Sequence, residues 1–273
     1  MNEPELIEKA RAGDREAFAE LYVPVERPLA AFLYRLTAIR SDAEDLAQET
    51  ALRALETINQ CAGTCSFRAW IFRIGVRAAL EYLEGRKAWD PDAQIRAGRR
   101  AADDAAARRR WQKLHGSALH TTYDIREHID FCFTCMGRTV PPREQAALLL
   151  AEVHGFSAEE AADVLDVSPQ ALQLQADRAR STLVEHYESR CALINSKGSC
   201  LQCAGFHTLL YGDHRSTEQA LFQVELQVRP TPQDRAATFD QRLGIVRSID
   251  PLHADGARLH DSLMTFTRQV SHY

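Results

Sequence analysis

Apolar residues recur every three or four positions along the N-terminal part of the chain, which is the period of amphipathic helices. Residues 3–38 are predicted to form two helical segments. The first contains a break at Gly13 and Asp14, and the second starts at Pro28, because proline is favoured at the first helical position. Aromatic residues on the apolar sides are expected to build a core: Phe18, Tyr22, Phe32 and Tyr34.

Two further helices are predicted over 41–58 and 66–87, and their polar faces differ in chemistry. Ser41 is the expected N-cap of the first, with Glu44 completing a capping box. Three carboxylates share one face of that helix: Asp42, Asp45 and Glu49. The second helix carries an apolar stripe of Phe67, Trp70, Ile71, Ile74 and Ala78, with Arg73 and Arg77 on another face. The pair suits a module that holds one partner by charge and another by stacking; a plain amphipathic hairpin is the alternative.

Residues 91–127 have a different composition, rich in Ala, Arg and Asp and without a sustained apolar stripe. We expect a linker here, with a transient helix around 101–114. The pattern that follows predicts a helix–turn–helix. One helix opens at Pro141 and Pro142 and stops at Gly155. The next is capped by Ser157 with its partner three residues later, and Ser168 caps the third.

The last segment, 206–273, contains an alternating stretch at 221–228 that fits a half-buried strand, although a helix from Thr217 fits as well. Two later helices are predicted, over 231–249 and 256–270, with three histidines expected at the surface: His253, His260 and His272. The whole pattern predicts an all-α fold in four segments: a helical domain 1–90, a linker 91–127, a helix–turn–helix domain 128–205 and a mainly helical C-terminal extension 206–273.

Composition narrows the function classes. The chain has 273 residues and a net charge of -5, so any contact with nucleic acid must rely on local arginines. No apolar run is long enough to span a membrane, and the charged N-terminus is not a secretory signal, so we expect a cytoplasmic protein. No phosphate-binding glycine loop or Gly-x-Ser-x-Gly motif is present, which argues against an enzyme.

Two stretches of the chain carry a family resemblance. DAEDLAQETALRAL followed by SFRAWIFRIGVRAALEYL resembles conserved region 2 of the extracytoplasmic-function (ECF) sigma factors of bacterial RNA polymerase. VPPREQAALLLAEVHGFSAEEAADVLDVSPQALQLQADRARSTL resembles their region 4 and follows in the expected order. The resemblance implies a sigma factor whose partners are core polymerase and promoter DNA, with an anti-sigma factor or other regulator as a further candidate partner.

The same resemblance implies roles for particular residues. Docking on polymerase falls to Asp42, Asp45, Glu49 and Arg53. Melting and reading the minus-ten element falls to Phe67, Arg68, Trp70, Arg73 and Arg77, and reading the minus-thirty-five element falls to Gln170, Gln173, Gln175, Arg178 and Arg180.

The chain departs from the family pattern at its DNA-reading positions. Arg77 stands where the family often has Asn, and Gln173, Leu174 and Gln175 fill positions that usually carry Lys or Arg. Fewer cations should weaken phosphate binding and flatten its salt dependence. Glutamine can still pair with adenine, although solvated glutamines explain the sequence equally well.

Cysteines frame the second domain. Cys132 and Cys135 precede the helix–turn–helix, and Cys200 and Cys203 follow it, so the two C-x-x-C pairs supply the four thiolates of a structural zinc site. His128 or Cys191 could replace one ligand, and the alternative is that these cysteines are core residues and loop thiols. With seven cysteines and no export signal, a disulfide framework is not expected.

We therefore expect an ECF-type sigma factor regulated through its C-terminal extension. The competing hypothesis is a sigma-like interaction protein, or a helix–turn–helix regulator, that binds polymerase or a regulator without recognising promoters on its own.

Overall fold

The structure is a computed structural model that describes residues 2–61, 63, 65–86, 90–106, 109–110, 113, 125–191 and 232–271. Within these residues the chain forms eleven helices and no strand, which confirms the predicted all-α fold. The stretch 221–228 and the alternative helix from Thr217 lie outside the described residues. No helix of the described part is both long enough and apolar enough to cross a bilayer.

The chain groups into two compact units that do not follow the four predicted segments. The first combines Met1–Trp89 with Pro141–Ala179, and the second combines Asp90–Val140 with Arg180–Tyr273. The middle part of the predicted helix–turn–helix domain thus groups with the N-terminal helices, and the predicted linker groups with the C-terminal extension.

Six helices lie wholly in the first unit: α1 (Glu3–Arg11), α2 (Arg15–Thr37), α3 (Arg40–Thr57), α4 (Phe67–Arg86), α7 (Pro142–Leu148, continued by a π turn, Leu149–Val153) and α8 (Ala158–Leu165). Four lie in the second: α5 (Ala93–Asp103), α6 (Ile125–Gly137), α10 (Pro232–Ser248) and α11 (Ala257–Ser271). Helix α9 (Pro169–Arg190) begins in the first unit and ends in the second.

The predicted break before α2 is confirmed, but the predicted start at Pro28 is wrong. Asp14 caps α2 by accepting hydrogen bonds from the N–H groups of Glu16 and Ala17 at 3.0 and 3.1 Å. The helix then runs without interruption through Pro24 and Pro28. Each interior proline costs about 3 kcal/mol. Burial of the apolar face of α2 against α3 and α4, at roughly 1.5–3 kcal/mol per large side chain, offsets that cost.

The predicted capping box at Ser41 is also wrong. Helix α3 begins one residue earlier, after Ile39, and has no side-chain cap. The Ser41 hydroxyl donates to Asp42 at 3.5 Å instead. The Glu44 carboxylate pairs with the Arg40 side chain at 3.3 Å and does not cap the helix.

Gly75 allows α4 to lie close to two neighbouring helices. A Cβ atom built at Gly75 would come within 2.9 Å of Leu29 Cδ1 on α2 and 3.2 Å of Thr50 Oγ1 on α3. Both neighbours are fully buried. The position therefore requires the smallest side chain.

The local signals of the helix–turn–helix are confirmed. Gly155 has a φ of 65°, in the left-handed region that glycine tolerates. Ser157 and Glu160 form a reciprocal capping box, with both hydrogen bonds at 3.1 Å. Ser168 accepts a bond from the Ala171 N–H at 3.2 Å and so caps α9.

The second unit contains the two predicted helices of the extension, α10 and α11. The predicted inward residues of α10, Phe239, Leu243 and Val246, are buried. Helix α10 packs against α6, and α11 packs against α5 and α6. The expected linker therefore includes an ordered helix with a packing partner.

Glu127 on α6 fixes the start of α11. Its buried carboxylate accepts the N–H groups of Asp255 and Gly256 at 3.1 and 2.6 Å. A Cβ atom at Gly256 would lie 2.5 Å from Glu127 Oε2, so the backbone can approach only because this residue is glycine.

The expectation of surface histidines is wrong for His260. Its ring stacks on Phe131 with centroids 4.8 Å apart, and burial lowers its pKa to about 4. His253 is exposed and pairs with Asp250 at 3.0 Å, and His272 lies outside the described residues.

Candidate polymerase and nucleic-acid interface

Helix α3 carries the carboxylates that were predicted to bind polymerase. Asp45 and Glu49 are exposed, and Asp42 is half-buried. Arg53 pairs with Glu49 one turn along the helix, with Nη2 and Oε1 2.5 Å apart. This face offers a line of negative charge that one basic side chain partly offsets.

Sequence reasoning missed two leucines on the same helix. Leu52 and Leu55 are 56% and 37% exposed, unlike most large apolar side chains of the described residues. The buried positions of α3 are Ala43, Leu46, Ala47, Thr50 and Ala54. A helical projection of these positions places the two leucines off the buried stripe and could have found them. Exposed apolar side chains beside charges are typical of protein interfaces.

Phe67 and Trp70, predicted to read the minus-ten element, are core residues in this structure. Phe67 is 1% and Trp70 is 7% exposed. Their ring centroids lie 5.7 Å apart, and Phe67 also meets Phe18 edge-on at 6.0 Å. In this conformation neither ring is free to stack on a base, so their DNA contacts stay predictions.

Arg68 lies at the start of α4 and is held by the segment before α8. One guanidinium nitrogen donates to the backbone carbonyl of His154. The guanidinium also lies over the Phe156 ring, 4.0 Å from its centroid, and 5.6 Å from that of Phe72. Burial lowers the pKa of Arg68 relative to a solvated arginine.

His154 itself is enclosed by aromatic rings. Its imidazole lies 5.5 Å from the Phe32 centroid and 5.7 Å from that of Phe72. Burial, together with the positive charges of Arg35 and Arg68, lowers its pKa to about 3, so the ring is neutral at physiological pH.

Arg73 and Arg77 lie one and two turns beyond Arg68. Arg73 Nε donates to the Asp163 carbonyl at 3.1 Å, and its guanidinium forms an ion pair with the Asp163 carboxylate. Arg77 is 80% exposed and pairs only locally, with Glu81 at 3.1 Å. An open cleft of about 640 Å³ lies beside these groups, with Arg143 on its wall. Of the three arginines predicted to contact DNA from α4, two are engaged by the helix–turn–helix.

The predicted recognition helix, α9, exposes part of its reading face. Gln170 and Gln173 are exposed, and Gln173 donates to Asp177 at 2.9 Å. Gln175 is half-buried, and Arg178 lies 4.0 Å from Glu144. This face is polar apart from the exposed Leu174, and Arg178 is its basic group within the first unit.

The last predicted DNA contact, Arg180, is held by the C-terminal extension. Its guanidinium donates from both terminal nitrogens to Asp240 and lies 5.1 Å from the Phe239 centroid. Two turns further along α9, Tyr187 packs on Phe239. The Arg242 guanidinium lies over the Tyr187 ring, 4.3 Å from its centroid. Side chains of α10 thus contact the C-terminal part of α9.

The described cysteines lie in two places and form no disulfide with one another. Cys61 is buried in the loop after α3 and Cys65 is half-buried, and burial raises the pKa of both thiols. Cys132, Cys135 and Cys191 are buried in the second unit, as is the alternate ligand His128. Cys200 and Cys203 lie outside the described residues. The described residues alone bring together no three groups that could hold a metal ion, so the zinc site stays a prediction.

Comparison with known proteins finds two sigma-factor regions in the chain. The Sigma-70 region 2 family model matches residues 21–88, and the Sigma-70 region 4 model matches residues 131–183. The ECF RNA polymerase sigma factor SigG of Mycobacterium tuberculosis is 34% identical over 63% of this chain. The chain therefore carries Sigma-70 regions 2 and 4 and is similar to ECF sigma factors. Region 2 includes most of α2 and all of α3 and α4, and region 4 includes α7, α8 and most of α9.

Other similar proteins come from several bacteria. The sigma-H factor of Pseudomonas aeruginosa is 24% identical over 66% of this chain and 90% of its own length, and the ECF sigma-E factor of Haemophilus influenzae is 25% identical over 65% and 91%. The chain spans about half the length of SigG (48%). A solved complex of the sigma factor RpoE with the anti-sigma factor NepR from Bartonella quintana aligns over 62% of this chain and 94% of that chain, with 20% identity and a TM-score of 0.42.

Proposed function

We propose that this ECF sigma factor directs core RNA polymerase to promoters and starts promoter melting. The observation that carries the proposal is the presence of regions 2 and 4 in the family order, with an exposed acidic face on α3. In this role the protein binds and separates strands without catalysis of its own, and it works in the cytoplasm.

Polymerase docking is assigned to Asp42, Asp45, Glu49 and Arg53, with Leu52 supplying apolar contact. Carboxylates give orientation and association rate, whereas exposed apolar side chains give area that is removed from water. Asp45→Ala should weaken binding to core polymerase several-fold. Glu20→Ala, which removes an exposed acid from α2, is the matched control. Equal affinity of the two variants would contradict the assignment.

Promoter recognition is assigned to the arginines of α4 and to the polar face of α9. Arg73 and Arg77 suit phosphate contacts, and Gln170 and Gln173 suit adenine contacts. Run-off transcription with core polymerase and a promoter library tests the function. Transcripts that depend on this protein support it, and polymerase binding without initiation contradicts it.

The second candidate function is a sigma-like interaction protein without independent promoter recognition. It is favoured by the glutamine-rich face of α9 and by the engagement of Arg180 with Asp240 of the extension. In the run-off assay it predicts no initiation by the full chain.

We also propose a structural zinc site formed by Cys132, Cys135, Cys200 and Cys203. Burial of the first pair on one helix, three positions apart, supports it. Inductively coupled plasma mass spectrometry of reduced protein should find about one zinc per chain. Less than half an equivalent would contradict the site.

A further inference from the structure

Leu174 is a large apolar residue at the centre of the polar face of α9. Its side chain is 52% exposed, whereas Leu172 and Ala176, two positions to either side, are buried. Because a helix turns by about 100° per residue, both buried residues lie about 200° around the axis from Leu174. Leu174 is therefore on the side of the helix opposite its buried stripe, where a partner that meets this face would reach it first.

The residues around Leu174 can form hydrogen bonds. Gln170 and Arg178 are exposed and lie one turn before and one turn after it, each about 40° from it around the axis. Asp177, the acid on this face, accepts a hydrogen bond from Gln173 at 2.9 Å. A partner that covers this face must therefore offer hydrogen-bonding groups on both sides of one apolar group.

The major groove of DNA offers this combination. Leucine has no donor or acceptor, and the apolar group that a base edge presents in the major groove is the C5-methyl group of thymine. The amide of Gln170 suits adenine, and the guanidinium of Arg178 suits guanine or a phosphate. Leu174 lies within the first two turns of α9, where the positive end of the helix dipole also favours a polyanion.

We propose that Leu174 contacts the methyl group of a thymine in the major groove and so determines a preference for thymine at one base pair of the promoter. The proposal rests on the proposed function for the binding of promoter DNA by α9. It goes further by assigning one base to one side chain. The glutamines select bases through hydrogen bonds, whereas Leu174 selects through the apolar area that it removes from water.

Duplex selection by the holoenzyme, formed from core polymerase and the full chain, tests the assignment. A randomised duplex library is made twice, once with thymine and once with uracil, which lacks the methyl group, in its place. With the thymine library, the unchanged holoenzyme should enrich thymine about three- to fivefold at one position, which is the factor expected for burial of one methyl group. The uracil library should show no such preference at that position.

The matched variants are Leu174→Ala and Val23→Ala. Leu174→Ala should lose the thymine preference and keep its fold, because the side chain is exposed and alanine favours a helix at least as well as leucine. Val23→Ala removes an apolar side chain from an exposed position of α2 and should keep the preference. The uracil library and Leu174→Ala remove the two sides of one contact, so combining them should have no further effect.

Each outcome bears on the assignment. Loss of the thymine preference in the uracil library and in Leu174→Ala, but not in Val23→Ala, supports it. A thymine preference that survives in Leu174→Ala or does not require the methyl group would overturn it and leave the proposed function intact. Weaker assembly of the Leu174→Ala holoenzyme with unchanged base preferences would show a protein contact instead, which also overturns it. If the unchanged holoenzyme enriches no sequence, the proposed function fails and the assignment fails with it.

Discussion

Replacing Glu127 by Gln should release the start of α11 from α6. The side chain keeps its size, but one oxygen that accepts an N–H becomes an NH₂ group that faces a donor. A hydrogen bond to a charged group contributes about 1.5–3 kcal/mol, and a carboxylate near a helix N-terminus adds about 0.3–1 kcal/mol. Because Gln retains one neutral bond, the expected loss is about 2–4 kcal/mol. The substitution should lower the local stability of the extension by this amount.

Hydrogen exchange followed by mass spectrometry measures that loss segment by segment, which matters because a protein with two compact units need not unfold in one step. Since about 1.4 kcal/mol corresponds to a factor of ten, amides at 255–260 should exchange roughly 30- to 1000-fold faster. Glu185→Gln, an exposed acid on α9, is the control. Exchange within threefold of that control would refute the reasoning.

Three further predictions concern pH, packing and the extension. Burial keeps His154 and His260 neutral, with pKa values of about 3 and 4, so the unfolded chain binds more protons below pH 6.5. The stabilisation from the neutral histidines is thus full above about pH 6.5 and falls as the pH drops, by about 2 kcal/mol per histidine at pH 5. A denaturation midpoint that is equal at pH 7 and pH 5 would contradict this prediction. Gly75→Ala should lower the free energy of unfolding by about 1–2 kcal/mol, because overpacking outweighs the helix propensity gained. Gly85→Ala has open space around its Cβ and should be neutral or stabilising by up to about 1 kcal/mol. Thermal unfolding measures both variants. Asp240→Asn should free Arg180 and tighten binding of double-stranded DNA about two- to fivefold in anisotropy titrations, and an unchanged affinity would show that the extension does not restrain that arginine.

Local signals in the sequence predicted much of the fold. The Ser157 capping box, the stop at Gly155 and the start at Pro141 and Pro142 depend on residues within one helical turn, and all three are confirmed. The helix start predicted at Pro28 was wrong because the effect of this proline depends on the tertiary packing of α2. The local sequence does not show that packing.

The contacts of the candidate site could not be predicted in the same way. Arg68 and Arg73 meet partners 86 and 90 residues away along the chain, and Arg180 meets one 60 residues away. The sequence shows that these arginines lie on polar faces, but a polar face can bind solvent, DNA or another part of the chain. The burial of His260 likewise depends on α6, far from it in sequence.

The π turn at Leu149–Val153 sets the register of everything after it. The His154 N–H bonds to the Leu149 carbonyl five residues back, at 2.8 Å, so the helix holds one residue more than an α-helical turn. Each residue in a helix rotates the chain by about 100°. Deleting one residue there would shorten no loop; it would turn the Phe156 ring and the His154 carbonyl away from Arg68. An insertion or deletion of one residue at this point therefore changes the direction in which the following side chains point. An alignment of relatives that places its gap elsewhere would pair the wrong side chains.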